Sequence, residues 1–213
     1  MKLQNIDIAS YSENLCVFGA LHCAPGDLND DIQTLVLLGP REPGFWAHFT
    51  ASPEYRDRLD DPLDRWSSRV ISDLAKTLNA KAYFPFGGPP YQPFIQWATK
   101  SGRAFISPVG LLVHDVAGLM VSYRGALGFR EQLDLPEISE NPCIKCENKP
   151  CITACPVDAL RPENYDVAAC KTDLDQPENH CMSKGCATRR ACPISQSYGR
   201  TEEQSAFHME AFK

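Results

Sequence analysis

The sequence lacks the patterns that would assign it to several common classes of protein. No apolar run approaches the roughly 20 residues that a membrane-spanning helix needs, and the first ten residues, MKLQNIDIAS, contain no apolar secretory core. The chain also contains no P-loop, no GxGxxG loop and no Ser–His–Asp pattern. The formal net charge of −6 disfavours non-specific nucleic-acid binding, which needs a basic patch. We therefore expect a cytoplasmic protein whose partner is neither a membrane nor a nucleic acid.

The charge is distributed unevenly along the 213 residues, which are enough for one large or two small domains. Residues 1–130 carry 13 acidic and 12 basic side chains, whereas residues 131–213 carry 14 and 9. An acidic half of this kind can steer a basic redox partner towards its surface. Ordinary solvation explains the same excess and is the simpler interpretation.

The first 130 residues are predicted to form a mixed α/β domain. Apolar residues at helical intervals predict a helix over residues 11–24 that Pro25-Gly26 stops, and an amphipathic helix over residues 62–78 with Asp61 as its N-cap. The other predicted elements are a strand over 34–38, a broken helix over 45–58, a strand over 81–86, a helix over 94–99 and a hairpin of 111–113 with 119–123. Cys16 and Cys23 would then lie near one face of the first helix, as small buried apolar side chains.

From residue 131 the composition changes, with a linker at residues 134–136. Proline and cysteine become frequent and few large apolar side chains remain, so this segment needs cross-links or bound metal in order to fold. In a chain without an export signal, clustered cysteines are more often metal ligands than disulfides. Eight of the ten cysteines form two runs here, Cys143, Cys146, Cys151 and Cys155-Pro156, then Cys170, Cys181, Cys186 and Cys192-Pro193.

Two sets of four thiols, each closed by Cys-Pro, are typical of proteins that hold two cubane [4Fe–4S] clusters, because soft thiolates suit iron and short loops place sulfurs on neighbouring irons. In two-cluster ferredoxins the last cysteine of each run binds the other cluster. The same crossing assigns Cys143, Cys146, Cys151 and Cys192 to cluster one, and Cys155, Cys170, Cys181 and Cys186 to cluster two. His180, beside Cys181, is then not needed as a ligand.

The spacing within the runs leaves two alternatives open. Four residues separate Cys146 from Cys151, where bacterial ferredoxins have two, so one cluster beside a vacant site is the first alternative. The second is two zinc ions held by the same eight thiolates, although only Cys143 and Cys146 form the CxxC pair typical of a zinc knuckle. A brown solution with broad visible absorbance would distinguish an iron–sulfur protein from a colourless zinc protein.

The stretch from Cys143 to Leu160, CIKCENKPCITACPVDAL, followed by YDVAACKTDL from Tyr165, resembles the iron–sulfur module of epoxyqueuosine reductase and the related reductive dehalogenases. The lone Cys170, followed by a distant group that ends in Cys-Pro, is similar to the layout of that family. The resemblance implies an α+β fold. Residues 1–130 would form a nitroreductase-like domain, which in that family holds a cobalamin, and residues 131–213 a ferredoxin-like module with two clusters.

The resemblance is incomplete where the family's reductase has an acidic proton donor. This chain has Gly87-Gly88-Pro89-Pro90 there, with no carboxylate until Asp115. Gly87 and Gly88 would let the backbone approach a flat ligand such as a corrinoid, but a Gly/Pro turn is the simpler explanation. Other candidate pocket residues, for which a structural role is also simpler, are Tyr83, His114, Tyr123 and Arg124.

Three functions are compatible with these patterns. The first is a redox protein whose two clusters pass single electrons to a partner protein or to a small-molecule acceptor. The second is a reductase or cobalamin-processing enzyme in which the clusters reduce a bound corrinoid. The third is an interaction module whose metal clusters are structural, and which dithionite would therefore not reduce.

Overall fold

The computed structural model describes residues 2–24, 28 and 31–213. The strands are β1 Leu15–His22, β2 Thr34–Pro40, β3 Lys81–Tyr83, β4 Ala104–Ile106, β5 Leu112–His114, β6 Gly125–Phe129, β7 Leu160–Arg161 and β8 Asn164–Tyr165. The helices are α1 Leu3–Tyr11, α2 Phe45–Thr50, α3 Pro53–Arg56, α4 Pro62–Thr77, α5 Phe94–Lys100, α6 Val167–Leu174, α7 Cys181–Lys184, α8 Ala187–Ala191, α9 Pro193–Ser197 and α10 Glu202–Phe212, with a 3-10 turn over Pro150–Ile152. This mixture agrees with the predicted α+β class. Among the described residues, no helix is long and apolar enough to cross a membrane.

The chain forms two units that interleave along the sequence. Unit 1 consists of Met1–Arg103 and Ser122–Ile138, and unit 2 consists of Ala104–Val121 and Ser139–Lys213. These units differ from the predicted division at residue 130, because the segment Ala104–Val121 belongs with the cysteine-rich part of the chain.

The centre of unit 1 is a four-stranded antiparallel sheet in the order β1-β2-β6-β3. Every residue of β2 and of β6 is buried, which is the pattern of strands that are covered on both faces. Helix α4 packs against β3 and β6, whereas α1 and α5 pack against β1. The core of this unit therefore lies along its two central strands.

Helix α4 was predicted correctly from its apolar stripe. Leu63, Trp66, Val70 and Leu74 are all buried on one face, as their spacing of three or four residues requires. Pro62 begins the helix, where its missing N–H costs nothing. Asp61 is the N-cap residue, as predicted, but its side chain makes no cap hydrogen bond and its backbone is left-handed, with φ +51°.

An aromatic cluster attaches the predicted broken helix, now α2 and α3, to α4. The Trp66 ring meets Phe45 edge-on at a centroid distance of 5.4 Å and Phe49 at 6.0 Å. All three side chains are fully buried. Such pairs contribute beyond the area that they bury, so Trp66 is the central contact of this part of the core.

The predicted helix over residues 11–24 was wrong. Its C-terminal part is strand β1, which pairs with β2 from Leu15 opposite Pro40 to His22 opposite Thr34, while α1 ends at Tyr11. The run LCVFGALH is so apolar that it fits both the helical and the strand period. A strand that is buried on both faces also lacks the alternation of polar and apolar residues by which a strand is recognised. The predicted stop at Pro25-Gly26 lies outside the described residues.

The predicted hairpin over residues 111–123 was right in its first strand and its turn only. Strand β5 pairs with β4, and His114 forms an antiparallel bridge with Gly118, but residues 119–123 form no strand.

The strand predicted over residues 81–86 ends at Tyr83, two residues before Pro85. Strand β6 was missed, because two glycines interrupt its apolar pattern (GALGF).

Replacing Trp66 with alanine is expected to lower the free energy of unfolding by about 3–5 kcal/mol, since it leaves a cavity among buried aromatic rings. Circular dichroism during urea unfolding measures the change. Lys76→Ala on the same helix is the control, because that side chain is 77% exposed and its loss should change stability by less than about 0.5 kcal/mol. Equal losses in the two variants would contradict the central role of Trp66.

Candidate functional site

Cysteines form part of the small apolar core of unit 2. Buried Cys151 and Cys192 pack in one cluster with Val113, Leu119 and Leu160. Cys143 and Cys186 pack against the same cluster while remaining partly exposed. Sulfur thus fills places that aliphatic side chains occupy in an ordinary core.

A cavity of about 470 Å³ opens beside this core. Four cysteines from both runs line it, namely Cys143, Cys146, Cys151 and Cys192. These are the four cysteines that the crossed assignment gives to cluster one. Aliphatic atoms of Leu119 and Ile194 line the same cavity, together with Lys145 and Lys149. The cavity therefore combines four soft sulfur donors with an apolar wall, two cationic side chains and the carboxylate of Glu147.

The thiols of this first set lie close enough to affect one another electrostatically. Burial raises the pKa of Cys143 above its usual range, and negative charge on Cys151, Cys192 or Cys146 would raise that pKa further. The pKa of Cys151 is raised in the same way, first by burial and then by Cys192 and Cys146. A positive group placed among these sulfurs would reverse this effect, because it favours the thiolate form.

The other four cysteines form a second set. Burial raises the pKa of Cys170, and the neighbouring thiols of Cys186 and Cys155 add to the increase. Burial likewise raises the pKa of Cys181, to which Cys186 also contributes. The four sulfurs that the sequence assigned to cluster two are therefore electrostatic neighbours.

Three sulfurs of the second set accept hydrogen bonds. The backbone N–H of Ala159 donates to Cys155 Sγ at 3.3 Å, and the Tyr165 hydroxyl donates to Cys170 Sγ at 3.5 Å. A backbone hydrogen bond from Ala187 lowers the pKa of Cys181, against the larger effect of burial. Donors of this kind stabilise negative charge on sulfur, as they do around sulfur-ligated metal sites.

Arginines hold the segment Ala104–Val121 against the second cysteine run. Arg189 donates to the carbonyl of Leu119, and Arg200 donates to that of Met120 at 3.0 Å. These bonds cross long stretches of sequence, so they fix the turn after β5 beside the helices that carry the cysteines. Sequence reasoning missed this role, since nothing local in the sequence pairs an arginine with a distant carbonyl.

Gly118 is the point at which this turn meets a cysteine of the first set. Its φ is +57°, and a Cβ there would lie 2.5 Å from the Ser195 nitrogen, 2.6 Å from Ser195 Oγ and 3.1 Å from Cys192 Sγ. Only glycine allows the backbone to approach that closely. The sequence placed Gly118 in a turn and gave no signal of its contact with Cys192.

Three buried polar side chains in unit 2 have no hydrogen-bond partner within the described part of the chain. They are the hydroxyls of Thr188 and Ser195 and the amide of Gln204, and all three side chains are at most 5% exposed. An unsatisfied buried group of this kind costs about 1–3 kcal/mol. In native proteins such groups commonly indicate a bound ion, cofactor or water.

Within residues 2–24, 28 and 31–213, no three histidine, cysteine, aspartate or glutamate side chains are arranged to hold a single metal ion. That result concerns one ion bound at one point. A four-iron cluster instead presents a separate iron to each of its ligands.

The turn that contains Gly87 and Gly88 is enough to explain why both positions are glycine, without a flat cofactor beside them. A Cβ on Gly88 would lie 2.8 Å from the Pro90 carbonyl carbon and 2.8 Å from the Tyr91 nitrogen. Gly87 has φ +80° and open space around it, so its backbone conformation alone favours glycine. The corrinoid stays a prediction that rests on the resemblance.

The four candidate pocket residues serve packing and backbone geometry. In unit 1, the Tyr83 ring meets Trp97 edge-on at 5.9 Å, and Tyr123 meets Phe18 at 6.0 Å. Burial lowers the pKa of Arg124 to about 10, against the opposite effect of Asp64.

The candidate residue in unit 2 is His114, which is buried. Its Nδ1 accepts hydrogen bonds from the backbone N–H groups of Val116 and Ala117, at 3.2 and 3.3 Å. His114 thereby shapes the turn that leads to Gly118.

The two cysteines outside the runs lie at the edge strand of unit 1. Cys16 is in β1, with its sulfur 3.6 Å from the Pro40 carbonyl oxygen and 3.8 Å from that of Gly39. Burial raises the pKa of Cys16 to about 12, although nearby Arg41 opposes the increase. Cys23 follows the strand and is half-buried. The helix predicted for them is wrong, and both side chains, predicted to be buried, are only partly buried.

Comparison of this chain with known protein families, with curated proteins and with solved structures finds no match.

Cys16 is expected to react with iodoacetamide at pH 8 roughly 100- to 1000-fold more slowly than a cysteine of the unfolded chain, because its raised pKa leaves little thiolate. Peptide mass spectrometry of native and urea-unfolded protein measures the two rates. Because the pKa of Cys16 is higher in the folded chain than in the unfolded chain, folding favours the neutral thiol. This contribution to stability is complete below about pH 9 and is lost as the pH rises towards 12. Equal labelling rates in the native and unfolded protein would contradict this assignment.

Gly118→Ala is expected to destabilise unit 2 by about 1–3 kcal/mol through overpacking, and to increase labelling of Cys192 in the native protein. Thermal unfolding and peptide mass spectrometry measure the two effects. Gly87→Ala is the matched control, because φ is also positive there but the space is open. Its cost should be about 1–2 kcal/mol from backbone strain alone, with no change at Cys192. If Gly118→Ala left Cys192 labelling unchanged, the close approach would not protect that sulfur.

Proposed function

We propose that unit 2 holds two [4Fe–4S] clusters and that the protein transfers single electrons. Cluster one would be held by Cys143, Cys146, Cys151 and Cys192, and cluster two by Cys155, Cys170, Cys181 and Cys186. The observation that carries this proposal is the cavity of about 470 Å³, which four thiols from two separate runs line together. Each cluster, when bound, accepts or releases one electron at a time.

The donor set of the first cavity fits such a cluster. Four of its lining residues are cysteines, whose thiolates are the softest ligands that side chains offer and are selected by iron–sulfur clusters; Ser107, Glu147 and Asn148 line the same cavity. The apolar wall of Leu119 and Ile194 would exclude water and keep the cluster in surroundings of low polarity. The unsatisfied hydroxyl of Ser195 lies beside Cys192, where it would donate to a sulfur that carries negative charge.

The second set of cysteines is also suited to a cluster, because several of its sulfurs accept hydrogen bonds. Cys155, Cys170 and Cys181 already accept donors from the chain, so the cost of deprotonating these thiols is partly offset. Zinc would also require thiolates, but the chain has only one knuckle-like CxxC pair and closes both runs with Cys-Pro. The iron–sulfur proposal accounts for that repeated ending, and the zinc alternative does not.

We infer further that unit 2 is a ferredoxin-like module, and that unit 1 is a shortened form of the nitroreductase-like domain that the resemblance implies. The order of α4, β3 and α5 before the cysteines is consistent with that resemblance. The turn formed by Gly87 and Gly88 leaves no residue that specifically favours a corrinoid. We therefore propose a partner protein or a small-molecule acceptor as the destination of the electrons.

Protein purified without oxygen is expected to be brown and to contain about eight iron and eight sulfide per chain, four of each for every cluster. Cys151→Ser and Cys181→Ser should each lose about half of the iron, whereas Cys16→Ser should lose none. Metal analysis, sulfide analysis and electron paramagnetic resonance of the dithionite-reduced protein measure these outcomes.

The crossed assignment can be tested with double variants. Cys151→Ser combined with Cys192→Ser removes two ligands of one set and should keep one intact cluster. Cys151→Ser combined with Cys181→Ser damages both sets and should keep neither. Loss of both clusters in the first double variant would contradict the crossing, and colourless protein with two zinc ions would overturn the iron–sulfur proposal itself.

A further inference from the structure

The hydroxyl of Tyr165 forms a hydrogen bond with a cysteine sulfur of the second set. This tyrosine lies at the end of β8 and donates to Cys170 Sγ at 3.5 Å, a normal length for a sulfur acceptor. Asp166 caps α6 between the two residues, accepting the N–H of Ala169 at 2.9 Å. The cap fixes the first turn of α6, and therefore the position of Cys170 relative to Tyr165.

The Tyr165 ring is held in place by the last helix of the chain. It stacks on Phe212 at the end of α10, with centroids 6.0 Å apart and planes 10° from parallel. Lys171 lies over the Phe212 ring at 5.5 Å and donates to the Lys213 carbonyl at 3.0 Å. The stacking on Phe212 thus orients the ring whose hydroxyl reaches the sulfur, although the Tyr165 side chain is 38% exposed.

Helix α10 also packs on the helix that carries another cysteine of the same set. It contacts α7, which begins at Cys181, and Ser205 lies where a Cβ on Gly185 would stand. Unsatisfied Gln204 is buried on the same helix. The first turns of α10 therefore pack beside α7, and its last residues pack on Tyr165. Both ends of α10 thus contact segments that hold cysteines of the second set in place.

We propose that the Tyr165 hydroxyl sets the reduction potential of the cluster held by Cys155, Cys170, Cys181 and Cys186, and that Phe212 positions its ring. This inference rests on the proposed function. A hydrogen bond to a ligand sulfur withdraws electron density from it and stabilises the additional negative charge of the reduced cluster. The bond therefore raises the potential, and its removal lowers that potential.

Tyr165→Phe keeps the ring and its stacking but removes the donor. Redox titration followed by electron paramagnetic resonance should show one of the two clusters at a lower potential and the other unchanged, with the full iron content retained. In resonance Raman spectra, the iron–thiolate bands of that cluster should shift less between H₂O and D₂O, with the remaining shift due to the Ala159 N–H bond to Cys155. Phe212→Leu keeps the hydroxyl but loosens the ring, and should shift the same potential in the same direction by a smaller amount.

Tyr91→Phe is the control, because that residue is 66% exposed in a different unit and its substitution should leave both potentials unchanged. Full iron content with both potentials unchanged in Tyr165→Phe would overturn this inference and leave the proposed function intact. Loss of about half of the iron would also overturn it, since Tyr165 would then be needed to hold the cluster. Wild-type protein without iron would overturn both proposals.

Discussion

The structure of unit 2 depends on the convergence of sulfur atoms from two cysteine runs on one small core. Cys151 and Cys192 are buried there with Val113 and Leu119, and few large aliphatic side chains surround them. A unit with so little apolar area gains limited stability from burial alone. A cofactor that binds the thiolates of the folded state stabilises that state by mass action. If unit 2 holds the proposed clusters, its stability will therefore rise with their occupancy.

The turn after β5 connects that core to the remainder of unit 2. His114 shapes the turn, Arg189 and Arg200 hold the residues after it, and Gly118 brings its backbone against Cys192. Both guanidinium groups donate hydrogen bonds to backbone carbonyls of this segment, so the two arginines fix the residues that follow the turn.

The sequence predicted those features whose cause is local. Helix α4 follows from the period of its apolar stripe. The four cysteines that line one cavity are among those that the sequence groups by their order and Cys-Pro endings, while the assignment of all eight to two clusters stays a prediction. Strand β1 was mistaken for a helix, because a strand buried on both faces has no alternation to read. Strand β6 was missed because its glycines interrupt the pattern. The contact of Gly118 with Cys192, and that of Tyr165 with Phe212, join residues far apart in sequence, and no local propensity encodes them.

The interleaving of the two units constrains the order in which the protein can fold during synthesis. Central strand β6 follows residues 104–121, so the sheet of unit 1 stays incomplete until the first piece of unit 2 has already been made. That piece carries Val109, Val113 and Leu119, whose partners Cys151 and Cys192 emerge later still. A nascent chain must therefore expose part of the core of unit 2 while unit 1 closes, and contacts of such long sequence separation form slowly. Early binding of the proposed clusters would shorten that exposure.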